Sequence, residues 1–488
     1  MNATYLNLAA QSPSIEVGLS ITEKLQNDTG SKQTFYVCNS ALKSCSINIL
    51  HKKSICKLCY EKALTGIDEY KKYNNAKVVE FSQKDLIFFE NLEVDQEILK
   101  EIELGVKSTI ASQFRITSID QLNRKWKKAY DLMYQSSKEL FHFFALEIQK
   151  NNIKNFITFN GRLACSRPII AASKKQKINF WVYDGFFNGK FPFASKNQMF
   201  HSLDFVKKNS IKAYIGNYPN SNLIAKEHIE KKVGGIKTFE RSFTNHQLKN
   251  YIDPRINLNK IIISIFTSSD DEYRFIGEDW NEYEIKLQYE EINYLFANLD
   301  KNKYQIVVKM HPNQKYINQK ELNFYKTLSN QGLILFPENK TDTYELINKS
   351  DYIINFCSSV GAEANYLRKK VIQIGPSIFR KLPVANYVNN SKECVNLIIQ
   401  NKARLMPIRA SVVWFNYLYF SNINLEAYSN PNPGVFYFHG RAIKNKFWTR
   451  IFSTLSKLIF QIQKGDYSVI DNFSLYFTNF IFSKNNVK

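Results

Sequence analysis

The chain is 488 residues long, 44% hydrophobic and 23% charged, with a formal net charge of +22. That length exceeds the size at which single cores usually split, so two domains are expected, and the hydrophobic content suffices for globular cores. The charge directs attention to anionic partners; with no C₂H₂ spacing, no aromatic RNP-like strand and no arginine-rich arm, nucleic acid is set aside, leaving an anionic membrane surface or acidic substrates.

Residues 4–9 read as a first strand, followed by an amphipathic helix near 15–27 and a second strand at 34–38, a βαβ opening. Four of the seven cysteines follow as Cys38-x6-Cys45-x10-Cys56-x2-Cys59, which reads as an insertion. The Cys56–Cys59 spacing suits a metal, and with Cys38 and Cys45 it would make a structural zinc site, closed to chemistry by its four thiolates. His51 is a competing ligand, and buried or loop thiols without metal are the other reading. Helical periodicity runs over 94–112 and 119–150, and strands over 155–159 and 178–183.

Residues 233–256, rich in glycine and polar side chains, read as a hinge. From 260 onward strands at 260–266, 304–310, 333–336, 351–356 and 370–374 alternate with helices at 281–299, 318–330, 342–349 and 361–369. Such alternation predicts a parallel sheet covered on both faces. The expected organisation is therefore a first domain over 1–250 carrying the cysteine-rich insertion at 38–59, a second domain over 257–400, and a C-terminal helical extension over 401–488. Within that extension, 444–464 places Phe447, Ile451, Leu455, Leu458, Ile459 and Ile462 on one helical face, with basic residues largely elsewhere. This helix either lies on an anionic membrane or packs back on the first domain. No run reaches the ~20 apolar residues that span a bilayer, and residues 1–30 lack a basic segment followed by an apolar core. A cytoplasmic protein is expected, peripheral on the inner face of the membrane if the tail binds it.

The chemistry-bearing clusters all sit at predicted strand ends, where open α/β sheets place their ligands. They are Asn160-Gly161-Arg162, Tyr183-Asp184-Gly185, Thr267-Ser268-Ser269-Asp270-Asp271-Glu272, Lys309-Met310-His311-Pro312-Asn313, and Phe356-Cys357-Ser358-Ser359-Val360-Gly361-Ala362-Glu363. The last offers two hydroxyls, a glycine for close backbone approach and a helix start that attracts anions. Together these parts suit a phosphate or pyrophosphate, held in a cleft with one wall from each half.

The run from Phe266 to Glu272, with Glu278-Asp279-Trp280, Lys309-Met310-His311-Pro312-Asn313, Ser358 to Glu363 and Val371-Ile372-Gln373-Ile374-Gly375-Pro376, resembles the capsule polysaccharide biosynthesis family of GT-B glycosyltransferases. Phe159-Asn160-Gly161-Arg162 and the early cysteines are similar to that group as well. The resemblance covers most of residues 1–400 and is strongest over 260–376. It implies an α/β, GT-B-like fold: two Rossmann-like domains facing a central cleft, with the nucleotide-sugar donor held mainly by the second and the acceptor by the first. His311 and Pro312 match the His-Pro motif of CMP-sugar enzymes, including sialyl- and Kdo-transferases, and Ser358 and Ser359 match their paired serines. The resemblance thus assigns these side chains to the donor phosphate, where negative charge grows as the glycosidic bond breaks.

The residues themselves add further candidates. A cationic or proton-donating His311 suits the leaving phosphate, and Lys309 either adds charge or is merely solvated. Glu363 either reaches the donor ribose or balances the helix dipole. Asp184 is the candidate base for the acceptor hydroxyl, similar to the acid–Gly motif of some sialyltransferases, or else a turn residue. Asp270, Asp271 and Glu272 are its rivals. Arg162, with Asn160 and Gly161, either grips an acidic acceptor or braces its loop. No catalytic cofactor is expected, because no DxD-like metal pair stands at a strand end. The expected function is transfer of a sugar, CMP-linked by preference, to a growing surface or lipid-linked glycan. A UDP-sugar epimerase, a CDP-polyol phosphotransferase and a non-catalytic glycan- or membrane-binding component are the competing readings.

Overall fold

The computed structural model describes residues 1–184, 192–236, 246–283, 286–420, 423–432, 434–444 and 447–463. Gly185 and part of the expected hinge lie outside them, as does the chain beyond Gln463.

The first lobe runs β1 (Asn2–Tyr5), α1 (Ser14–Thr29), β2 (Gln33–Cys38), α2 (Lys53–Tyr70), β3 (Ala76–Phe81), α3 (Gln83–Leu86), α4 (Gln96–Phe114), α5 (Arg124–Lys150), β4 (Asn155–Phe159), α6 (Arg167–Lys175), β5 (Asn179–Asp184), β6 (Phe193–Lys196), α7 (Leu203–Gly216) and α8 (Ser221–Val233). Its strands lie in the order β3-β2-β1-β4-β5-β6, parallel except for β6, which runs antiparallel to β5. The second lobe runs β7 (Ile261–Phe266), α9 (Asp270–Tyr273), α10 (Gln288–Asn298), β8 (Tyr304–Lys309), α11 (Gln319–Leu328), β9 (Leu333–Leu335), α12 (Thr343–Lys349), β10 (Tyr352–Asn355), α13 (Val360–Tyr366), β11 (Lys370–Ile374), β12 (Asn386–Val388) and α14 (Ser391–Ile399). Its order is β12-β11-β10-β7-β8-β9, all parallel.

Both lobes therefore carry the same doubly wound permutation, in which the first strand pairs with the fourth and the order reverses between them. These reversals, β1/β4 and β7/β10, open the crevices in which such sheets hold ligands. The strands can be central because they are apolar on both faces: Ile262, Ile263 and Ile265 of β7 are all buried, as are Ile353 and Ile354 of β10. The first lobe fills its core with aromatic side chains instead, with Tyr36 stacked on Phe156 and edge-on to Phe144. Two Rossmann-like lobes facing one cleft is the GT-B-like architecture expected from the sequence.

The chain then returns to the first lobe. Helix α15 (Ile408–Phe420) packs on α7 and α8, and also on α13 of the second lobe. Its Trp414, Phe415 and Tyr417 join Phe193, Val206, Ala362 and Phe379 in one buried cluster. The hairpin β13 (Tyr428–Asn432) and β14 (Val435–Phe438) lies against α1, and α16 (Phe447–Gln463) against α2. Polar side chains make part of the α16 contact: Thr449 Oγ1 donates to Glu61 at 2.8 Å and the Ser54 and Ser456 hydroxyls meet at 2.6 Å, while Phe460 sits edge-on to Trp126.

Several expectations need correction. The first strand ends at Tyr5, and residues 6–13 form the loop that carries the chain to α1. The cysteine segment is not an insertion: Cys56 and Cys59 belong to α2, the crossover helix between β2 and β3. The helix expected over 281–299 is a 3₁₀ turn at Glu278–Glu282 followed by α10. Helix α16 packs back on the first lobe, one of its two expected placements, but through a face one side round from Leu455 and Ile459 of the apolar stripe, which are exposed. Cys38, Cys45, Cys56, Cys59 and Cys165 line one small internal cavity. Among the described residues, however, no three His, Cys, Asp or Glu side chains are grouped to hold a metal ion. Burial pushes the Cys59 thiol up to about 11 and Cys38 to about 12, so both are protonated near neutral pH.

Candidate active site

The carboxyl ends of the two sheets face each other across a cleft of about 370 Å³. The first lobe supplies Asn160, Arg162 and Asp184 at the ends of β4 and β5. The second supplies Ser268 and Ser269 after β7, His311 after β8, and Ser358 and Ser359 after β10. The two walls are held in register by direct bonds. Arg167, fully buried, donates to the Ile276 carbonyl at 2.7 Å and to Glu101 at 2.6 Å. Trp280 Nε1 donates to the His201 carbonyl at 2.7 Å, and Arg274 Nε to the Thr117 carbonyl at 2.9 Å. Arg115 reaches Asp271 at 2.7 Å and Glu272 at 3.2 Å.

On the first-lobe wall, Asn160 is held in the left-handed region (φ 62°) and Gly161 follows with φ 80°. Asparagine and glycine tolerate that region at low cost. The turn aims the Asn160 amide at Asp184, whose Oδ2 accepts from Nδ2 at 2.5 Å. Gly161 is needed for packing and conformation together, since a Cβ there would lie 2.6 Å from the Met199 sulfur. Arg162 is anchored from below by Ser108 at 2.6 Å and Ser112 at 3.2 Å, both on α4. Burial pulls its guanidinium below the usual arginine range, offset by Glu272, Asp184 and Asp271. A guanidinium placed this way braces its loop and still faces the cleft.

On the opposite wall, His311 Nδ1 accepts the backbone N–H of Asn313 at 3.1 Å. That bond leaves the proton on Nε2 in the neutral ring. Burial also lowers the His311 pKa, with Glu272 opposing and Arg115 adding to the shift. Of the two forms expected from the sequence, cationic or proton-donating, this geometry suits the proton-donating one, with Nε2–H as the donor. Pro312 opens the 3₁₀ turn Pro312–Tyr316 that fixes this geometry, and Gln314 accepts the His311 N–H at 2.9 Å. Ser268 is locked by Gln288, which accepts its N–H and donates to its carbonyl, each at 3.0 Å. The buried Ser269 hydroxyl has no hydrogen-bond partner among the described residues. Cys357, between β10 and the serines, takes φ 53°, strained for a residue with a Cβ.

Other sequence candidates stand elsewhere. Lys309 is buried and donates to the Thr341 carbonyl at 2.8 Å, away from the cleft lining; burial lowers its pKa to about 8. Glu363 is buried, accepting from Tyr344 OH at 2.8 Å and from Ser359 Oγ at 3.3 Å, so it orients Ser359 and is not among the residues that line the cleft. Asn313 Nδ2 contacts Glu272 at 3.4 Å. Gly361 permits close packing, a Cβ there falling 2.8 Å from Asn355 Nδ2.

Asp270 and Asp271 flank a separate small cavity with Arg115, Gln314 and Glu321. Burial pushes Asp270 up to about 7 and Asp271 to about 6. Glu272, of the same trio, does line the cleft. Trp280 and Cys357, both within the motifs quoted above, line the cleft as well, and His201, Phe193, Phe200, Tyr273, Ile276 and Ile378 were not anticipated. His201 follows no strand and carries no motif, so no local signal marks it. Its pKa is driven down by burial and by Arg162 and Arg167.

No family model and no curated protein matches the sequence. Among solved structures, the chain is similar to the β-Kdo 2,7-transferase of Thermosulfurimonas dismutans KpsC. The identity there is 14% over 58% of this chain and 83% of that one, with a TM-score of 0.36. It is also similar to Acinetobacter baumannii MurG (9% identity, 87% and 96% covered, TM-score 0.27). A third is UDP-GlcNAc 2-epimerase from Neisseria meningitidis bound to UDP-GlcNAc (11% identity, 93% and 99% covered, TM-score 0.22). The fold assignment rests on the strand order of the two sheets and not on these superpositions.

Proposed function

We propose that the protein is a glycosyltransferase that takes a sugar from a nucleotide-activated donor, CMP-linked by preference, and passes it to a growing surface or lipid-linked glycan. One observation carries this reading: a carboxylate on one wall, Asp184, faces a set of hydrogen-bond donors, His311, Ser268, Ser269, Ser358 and Ser359, on the other wall of the same cleft. In the reaction the acceptor oxygen bonds to the anomeric carbon while the bond from that carbon to the donor phosphate breaks. Asp184 takes the proton from the acceptor hydroxyl, its second oxygen being held by Asn160. The nucleotide leaves with the electron pair, and its phosphate gains charge beside Nε2–H of His311 and the serine hydroxyls. Donors fixed before the reaction stabilise that charge without reorganising. The Asn313 N–H on Nδ1 supports the reading, because it leaves Nε2–H as the ring's donor.

Thermal unfolding of the protein with CMP, CDP, UDP and GDP, beside a His311→Ala variant, tests the assignment. A nucleotide at about 100 times its Kd adds roughly 2.7 kcal/mol of stability. Stabilisation by CMP that disappears in the variant is expected. Selective stabilisation by UDP would replace the donor class, and no response to any nucleotide would overturn the reading.

A further inference from the structure

A second and larger cavity, about 500 Å³, lies on the first lobe outside the cleft. It is bounded by the loop before α1, by α2, by the β14 hairpin and by α16. Among the described residues its wall carries four cations, Lys62, Lys444, Arg450 and Lys457, against a single carboxylate, Glu16. The helix contribution is periodic: Arg450, Ser453, Thr454 and Lys457 fall at i, i+3, i+4 and i+7, one polar face of α16 turned into the cavity. Lys62 is only 4% exposed and bonds to Ser12. Its acidic partner is Glu16, at 3.8 Å, and the second Glu16 oxygen is buried with no hydrogen-bond partner among the described residues. Burial lowers the Lys62 pKa; Glu16 and Cys59 oppose the shift, while the charges of Lys457 and Arg450, which line the same cavity, add to it. An anion between them would relieve that repulsion.

We propose that this cavity is a binding site for a phosphate group carried by a soluble ligand. Four cations and several hydroxyls around one space match an oxyanion with many acceptor positions and close to two negative charges. A membrane is the less favoured source. The exposed apolar side chains of α16, Phe452 (57%), Leu455 (38%) and Ile459 (47%), lie at about 100° per residue on the side of the helix opposite the cavity. A bilayer touching them would leave the cations turned away. The loop before α1 joins this cavity to the cleft region: Asn7 accepts from the Phe159 N–H at 3.1 Å, one residue before Asn160, and Ala10 and Ser12 of the same loop line the cavity. The proposal does not depend on the reading of the cleft.

Inorganic pyrophosphate is the probe, titrated calorimetrically into the full-length protein. Binding is expected in the wild type and in His311→Ala, and about tenfold or more weaker in an Arg450→Gln/Lys457→Gln double variant, since bonds to charged groups are lost. A charge-matched Lys226→Gln/Lys231→Gln control should bind as the wild type does. Loss in His311→Ala would assign the binding to the cleft and overturn the proposal. Equal loss in the control pair would do the same, by showing a general effect of charge. Capture on phosphatidylglycerol vesicles, absent on phosphatidylcholine and abolished by the Arg450/Lys457 variant while pyrophosphate fails to bind, would assign these cations to a membrane instead.

Discussion

Asn160 and Asp184 end neighbouring strands, and the left-handed turn at Asn160 delivers its side-chain amide to Asp184 Oδ2. One carboxylate oxygen is thereby fixed while the residue still lines the cleft. If Asp184 is the base, Asp184→Asn should keep nucleotide binding and lose turnover by about 10²–10⁴-fold. Thermal unfolding and a transfer assay on the same preparation separate the two. Turnover that survives in Asp184→Asn moves the role to Glu272.

His311→Ala should lower kcat/KM by about 10²–10³-fold, the usual effect of removing one fixed donor to a developing oxyanion. The imidazole should also titrate below its ordinary value near 6.5, as its burial dictates. A midpoint above 7 in an NMR titration would restore the cationic reading.

Asp270 carries a sign that can be measured. Its folded pKa is raised to about 7, so its contribution to stability is complete below the unfolded value near 4 and is lost as pH rises through about 7. Asp270→Asn removes that titration. The difference in unfolding free energy, variant minus wild type, should therefore grow between pH 4 and pH 8. The growth should be roughly 1.4 kcal/mol for each pH unit that separates the unfolded from the folded midpoint. A difference that is flat with pH would show that Asp270 is not held protonated by its surroundings.

The lobe-to-lobe pair Arg115–Asp271 behaves differently with pH. The Asp271 side chain is 5% exposed, and burial, against the pull of Arg115, sets its pKa at about 6. Arg115→Met should cost about 1–3 kcal/mol at pH 8, where the carboxylate is left buried without its partner. The cost should be smaller at pH 5, where Asp271 holds its proton. Chemical denaturation at both pH values checks the order.

Gly18 allows the first turns of α1 to lie on Tyr183, the residue before Asp184. A Cβ at Gly18 would fall 2.4 Å from the Tyr183 hydroxyl oxygen. Gly18→Ala should therefore destabilise by about 1–3 kcal/mol through overpacking, and lower turnover further than it lowers nucleotide binding. Denaturation midpoints and a transfer assay on the variant check both parts.

Much of this arrangement is legible in the chain alone, for a local reason. A buried parallel strand must be apolar throughout and must stop at a polar turn, so Ile261–Phe266, Tyr304–Lys309 and Tyr352–Asn355 announce themselves together with the clusters that follow them. Eight candidates at strand ends, Asn160, Arg162, Asp184, Ser268, Ser269, His311, Ser358 and Ser359, line the cleft because strand ends of doubly wound sheets converge there. What the chain could not express is direction and burial. Lys309 ends its strand two residues ahead of His311, yet it is buried with its ammonium on the Thr341 carbonyl and does not line the cleft, a contact with a segment some thirty residues away that no local pattern shows. The pKa of His311 is lowered by a burial that no local pattern shows, with Arg115 of the first lobe adding to the shift, and Glu363 is held by a tyrosine from a different helix. His201 enters the cleft, and α16 builds a cationic cavity with Lys62, through contacts between segments far apart in the chain. Local periodicity determined the elements and the ends at which chemistry could sit; only long-range packing decided which side chains reach that space and in what protonation state.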